Sequence, residues 1–314
     1  MVLSLTRDSR LKIGLIAGVI VIDAALIAAQ DLVLPPGHLI RPLGFAALLA
    51  VVAWYYQRRR VETFGMCLVG LLQLITFTPA YTVLMYAIAA TARPLVDPQL
   101  VRLDALCGVH LPDIVEFMAR HPQLRAALAM VYNTLLYQMP LLVIVLGFRG
   151  DRRPLEQFVL RFMIAALVTS LFFWLCPAEG PFIAYGYEPS PDQQRYLDHF
   201  HALRSGERRL VTWVEAEGLI TFPSFHTTWA LLLAAALRQR RLLFAVSSVL
   251  NGLVVLSTLT TGWHYFGDVL GGVLVFGFAV ALAAALQSWL YPQPGARAAA
   301  RGAPEAAPEA LAAR

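Results

Sequence analysis

Two histidines and an aspartate stand near the ends of one stretch of the chain, residues 218–272. His226 opens an apolar segment in TFPSFHTTWA, and His264 and Asp268 open another in GWHYFGDVLGG. His264 and Asp268 are four residues apart at the predicted start of a helix, which sets both side chains on one face about a turn apart. A carboxylate there accepts the proton of one imidazole nitrogen, fixes the tautomer and leaves the other nitrogen as a nucleophile. His226 follows Pro223 by three residues, which suits the first turn of a helix. The amides of that turn, helped by Ser224, make a site for an anion such as phosphate.

Other chemistries fit these residues less well. An HxxxD pair is also compatible with a metal, but with His226 it makes a thin ligand set, with no cysteine or further histidine nearby. No metal and no cofactor is therefore expected. A lone histidine at a helix end is also commonly an interfacial residue without chemistry. His38, His110, His121, His199 and His201 fall in predicted loops and are expected to be solvated. Cys67, Cys107 and Cys176 have no metal-ligand or CxxC spacing and read as packing residues.

The elements that must position the three residues are membrane helices. Of 314 residues, 58% are hydrophobic and 14% charged, and a soluble domain would carry nearly twice that charge. The formal charge of +5 comes from arginines between apolar runs; they do not form one face, which argues against a nucleic-acid partner. Apolar segments fall at about 13–32, 41–57, 64–91, 125–147, 157–176, 223–237, 242–261 and 265–290. The expected fold is all-α, a polytopic transmembrane bundle of about eight spans. The first segment lacks an A-x-A cleavage site and reads as a retained helix. The third contains Pro79, where a kink is expected, and the sixth is short for a span.

Basic residues orient the bundle. Arg7, Arg10, Lys12, the run Arg58, Arg59 and Arg60, the cluster Arg149 to Arg161, and Arg238, Arg240 and Arg241 share one side. Fewer lie on the other, mostly in long loops, where the rule counts little. Both termini are expected in the cytoplasm, with His226, His264 and the loop 177–221 on the non-cytoplasmic face. Cys107 and Cys176 also fall on that side, where a disulfide between them is geometrically allowed. The segment 96–122, with apolar residues at helical spacing, reads as an amphipathic interfacial helix. The long loop 177–221 suggests a lid or entry role. Asp23, in the first span, is expected to be structural, paired with Asn133 or another polar group. The expected organisation is 1–122 as N-terminal helices and interfacial segment, 123–292 as the catalytic membrane domain, and 293–314 as a disordered cytoplasmic tail.

Pro223-Ser224-Phe225-His226 resembles the PSxH motif of the type-2 phosphatidic acid phosphatase superfamily. Ser257-Thr258, five residues, His264, three residues and Asp268 resemble its SRx5Hx3D motif. Within it, His264-Tyr265-Phe266-Gly267-Asp268-Val269 resembles the HYxxDV of inositol phosphorylceramide synthase, sphingomyelin synthases and bacterial relatives. Residues 176–181 (CPAEGP), 203–206 (LRSG) and Glu217-Gly218 are also similar to that branch. The resemblance covers about a third of the chain.

The resemblance implies a lipid phosphatase or phosphotransferase, inositol-phosphotransferase-like, that acts without a metal. His264 would attack phosphorus, Asp268 would orient it, and His226 would protonate the departing alcohol and then activate the acceptor. Its partners would be a phosphorylated lipid or phospholipid headgroup donor, and water or a lipid alcohol as acceptor. Two departures stand out: Thr258 replaces the family's arginine, and no KxxxxxxRP motif lies upstream. Arg204 is the expected substitute for the missing charge, with Arg208 or Arg209 behind it. The alternatives are a catalytically inactive family member and a non-enzymatic transporter with a polar gate.

Overall fold

The computed structural model describes residues 7–212 and 216–290. The tail expected to be disordered at 293–314 lies outside the described residues. Those residues form helices and no strand beyond a single bridge between Val33 and Leu210. Three long helices come first: α1 (Arg7–Ala29), α2 (Pro36–Arg58) and α3 (Glu62–Ala90). Two short ones follow, α4 (Asp97–Leu106) and α5 (Leu111–Arg120), then α6 (Pro122–Asn133), α7 (Leu135–Phe148) and α8 (Arg152–Leu175). After α9 (Pro181–Ala184) and α10 (Pro191–Ser205) come α11 (Phe225–Ala236), α12 (Arg241–Thr260) and α13 (Phe266–Leu290).

All eight apolar segments fold as helix, though not all as simple spans. Helices α1, α2, α3, α8, α12 and α13 are long and apolar enough to cross a membrane, and α6 with α7, bent by 43° at their break, meets the same test as a pair, as a broken span or a re-entrant loop. The bend falls at Thr134, whose hydroxyl donates to the Val131 carbonyl at 2.6 Å and accepts from the Gln138 amide at 3.0 Å. A side chain bonded into the helical ladder in this way is a recognised cause of kinks. Helix α11 has only 12 residues, which agrees with the short sixth segment. Pro79 lies inside α3 without ending it.

Helices α3 and α8 are the most enclosed of the long helices, and α1, α2, α12 and α13 carry exposed Ile, Leu, Val and Phe side chains. In lipid, apolar contact with the solvent is no penalty, so helix association depends on close packing and small residues. Cys67 is such a packing residue: buried, it lies against Gly147, where an added Cβ would come within 1.9 Å of its sulfur. All three cysteines are free thiols, so the Cys107–Cys176 bridge is not formed. Asp23 is buried, and its Oδ1 has no hydrogen-bond partner among the described residues. Its expected partner Asn133 instead donates to the Ala129 carbonyl.

The segment expected to be one interfacial helix at 96–122 is two, α4 and α5, separated at Gly108, which has φ +70°. The long loop 177–221 also holds structure. Ser190 and Gln193 form a reciprocal capping box at the start of α10, and Gly206, at φ +78°, ends it.

A close helix crossing joins α11 and α13. The Thr228 hydroxyl donates to the Gly272 carbonyl at 2.9 Å, and the Ser224 amide donates to the Asp268 carbonyl at 3.0 Å. A Cβ on Gly272 would lie 2.5 Å from the Ser224 carbonyl oxygen and 2.8 Å from Thr227 Cβ. Gly272→Ala should therefore cost about 1–3 kcal/mol of stability through overpacking. Gly277→Ala, which meets nothing within 4 Å, should be close to neutral. Thermal unfolding of both variants in detergent checks this, and equal melting temperatures would contradict the crossing.

Candidate active site

The α11–α13 crossing brings the sequence motifs to one end of the bundle. Ser224 caps α11, with its hydroxyl accepting from the Thr227 amide at 3.3 Å, so His226 sits in the first turn. The turn 261–265 then returns from α12 with Gly262 at φ +73°, a left-handed conformation that glycine adopts without strain. The Gly262 carbonyl is held by the Tyr187 hydroxyl and the Gln193 amide, both at 3.3 Å. The ring centroids of His226 and His264 lie 5.7 Å apart at 59°.

His264 is 3% exposed and Asp268 is fully buried. The His264 Nδ1 lies 3.1 Å from Asp268 Oδ2, which also accepts the Tyr265 amide at 2.9 Å. With Nδ1 engaged by the carboxylate, Nε2 is the nitrogen left for chemistry. Burial holds the His264 imidazole down to about 4, opposed in part by a hydrogen bond to the Thr221 backbone. The ring is therefore neutral near pH 7.

A cavity of about 450 Å³ opens onto both histidines. Arg125, Ala129, Tyr132 and Asn133, spaced along one face of α6, form one wall. Tyr132 stacks on His226 with centroids 4.5 Å apart, and its hydroxyl meets His226 Nδ1 at 3.3 Å. Asp192, Arg195 and Tyr196 of α10 face it, with residues 217–221 between. Arg195 is tied to Glu217 at 3.2 Å and Asp192 at 2.8 Å. Arg125 has no ion-pair partner among the described residues.

The residues expected to bind substrate are placed differently. Ser224 is fully buried in its capping role and does not line the cavity. Arg204 also lies outside the lining: its guanidinium donates to the Arg93 carbonyl at 2.8 Å and covers the Phe200 ring at 5.1 Å. Arg208 contacts His199, and Arg209 lies 3.8 Å from Asp31. Thr258 is buried, its hydroxyl turned to the Val255 carbonyl at 2.7 Å. His199 and His201 sit on α10 and not in loops, and His199 is half-buried, 3.1 Å from the Tyr86 hydroxyl. Among the described residues, no group of three or more His, Cys, Asp or Glu is arranged to hold a metal ion.

Sequence reading missed Tyr132, Arg125 and the α10 wall. Spacing along α6 carried a signal, since Arg125, Tyr132 and Asn133 are polar interruptions of one apolar segment. Only packing shows that they face His226.

Fold and site together define a polytopic helical membrane protein with a His–His–Asp constellation at one end of its bundle. A family model described as the PAP2 superfamily matches residues 98–282, and the chain belongs to that superfamily. Membership supports a phosphatase-like function. The match begins in α4, upstream of the catalytic domain boundary expected at 123. No curated protein and no solved structure matches the chain.

The neutral state of His264 has a measurable consequence. An unfolded histidine titrates near 6.5, so between that pH and about 4 the unfolded chain binds a proton that the folded chain does not. The stability from this group is whole above pH 6.5 and is lost as pH falls through about 4. From pH 7 to 4.5 the melting temperature of the wild type in detergent should fall further than that of His264→Gln. Equal falls would contradict a buried neutral imidazole.

Proposed function

We propose that this protein cleaves a lipid phosphate ester through a phosphohistidine at His264. The observation that carries the reading is the pair of histidines facing one cavity, one backed by Asp268 and the other stacked on Tyr132. In the reacting tautomer the His264 proton lies on Nδ1 towards Asp268, and Nε2 carries the lone pair. The Nε2 lone pair of His264 forms the P–N bond while the P–O bond to the leaving alcohol breaks. The anionic phosphate of the bound substrate draws a proton onto His226, which gives it to that oxygen. Water or a lipid alcohol then passes a proton to His226, its oxygen attacks phosphorus, and the P–N bond breaks to restore His264. Asp268 keeps the tautomer and balances the positive charge on the phosphorylated ring.

The donor class we favour is a phospholipid headgroup passed to a second lipid, as in the inositol phosphorylceramide and sphingomyelin synthase branch. Its support is the HYxxDV sequence and the absence of the phosphatases' arginine at Thr258. We assign the missing charge to Arg125, the cavity arginine without a carboxylate partner, in place of Arg204. From the distribution of basic residues, the cavity opens on the non-cytoplasmic face, with both termini in the cytoplasm. Residues 123–292 then hold the reacting groups.

The test uses protein in nanodiscs of phosphatidic acid, phosphatidylinositol and phosphatidylcholine, with ceramide and diacylglycerol as acceptors. Free phosphate that disappears in His264→Gln identifies a phosphatase. A new headgroup-bearing lipid without phosphate release identifies a transferase. Acid-labile phosphate trapped on His264 is expected in both cases. Product formation that survives His264→Gln would overturn the mechanism. Arg125→Ala should raise KM about 10-fold or more, consistent with loss of a charge-assisted contact, while kcat changes less. A KM equal to that of the wild type would return the role to another arginine.

A further inference from the structure

Helix α4 carries no residue of the two motifs, yet it holds the turn that presents His264. Asp97 and Asp104 are seven residues apart, two helical turns, so they lie on the same side of α4. Both are buried, at 8% and 0% exposure. Asp104 divides its oxygens between two backbone amides: Oδ2 accepts from Phe266 at 3.0 Å and Oδ1 from Gly267 at 2.8 Å. Asp97 accepts the Tyr265 hydroxyl at 2.8 Å, and the amides of Glu179 and Gly180 at 2.9–3.1 Å. The three residues after His264 are thus all anchored to one short helix. The fit is close, since a Cβ on Gly267 would lie 2.9 Å from Leu103 Cδ2.

The bonding pattern calls for carboxylates. The first amides of α13 have no acceptor within their own helix, and a carboxylate there makes charge-assisted bonds. Asp104 meets two converging N–H donors with two acceptor oxygens. An asparagine has one acceptor oxygen and would turn its NH₂ towards the second donor. With Asp104 and Asp268 occupying these amides, this helix end is filled by the protein itself and acts as a fixed mount.

We propose that Asp97 and Asp104 are positioning residues that hold the 264–267 turn so that the free nitrogen of His264 faces the cavity. The proposal rests on the phosphohistidine reading above. A reacting group displaced by about 1 Å loses on the order of 100-fold in rate. Asp104→Asn should therefore lower kcat about 10- to 100-fold with KM within about 3-fold of wild type.

The experiment uses the full chain in nanodiscs of phosphatidic acid, phosphatidylinositol and phosphatidylcholine, with turnover normalised to the sites that accept labelled phosphate. That normalisation removes any loss caused only by a smaller folded fraction. Tyr265→Phe deletes just the hydroxyl held by Asp97 and carries the test where Asp104→Asn does not fold; a loss of about 3- to 10-fold in kcat per site is expected, from one bond of about 1 kcal/mol. Arg102→Ala, on the exposed side of α4, should leave kcat unchanged. A wild type that turns over, with kcat per site unchanged in whichever of the two variants folds, overturns the proposal alone. A wild type that neither turns over nor takes up phosphate overturns the functional reading and this proposal with it.

Discussion

The site depends on how closely α11 and α13 cross. Their backbones meet at Ser224 and Gly272, where there is no space for a single extra carbon, and two hydrogen bonds lock the register. Each motif supplies one half of the contact. Ser224 is both the cap of the helix that carries His226 and the residue whose amide binds the Asp268 carbonyl. The two histidines face each other because the helices that begin beside them are held in this register.

Helix α11 is short for a membrane helix. With 12 residues it is below the length that spans a hydrocarbon layer of about 30 Å. Its N-terminus and the turn 261–265 are therefore covered by protein, from α6 on one side and α10 on the other, and polar side chains are tolerated because they face a cavity.

Around this centre the polar groups fall into two shells with different tasks. Those lining the cavity include Tyr132, Arg125, Arg195 and the two histidines. Those behind it, Asp97, Asp104, Asp268 and Gln193, bond mainly to backbone. Buried carboxylates are costly unless they are fully engaged, and here the acceptors are largely matched to helix-end amides that would otherwise be unsatisfied. Asp268 Oδ1 is an exception, without a hydrogen-bond partner among the described residues.

The membrane class, the eight apolar segments and the three central residues were legible in the sequence, because apolar runs and the spacing of His264 and Asp268 are local properties. Local patterns also marked the short sixth segment and the position of His226 in a first turn. They did not show that the loop 177–221 holds α10, because its capping box and left-handed Gly206 are weak signals against a long polar stretch. They could not tell that Ser224 is consumed as a cap, that Arg204 turns to Arg93, or that Arg125 reaches the cavity. Those are contacts between segments dozens of residues apart. The sequence by itself determined which helices exist and which two motifs carry His226, His264 and Asp268. Tertiary structure alone decided what surrounds them, because the neighbours of a buried residue are set by helix packing, which sequence spacing does not encode.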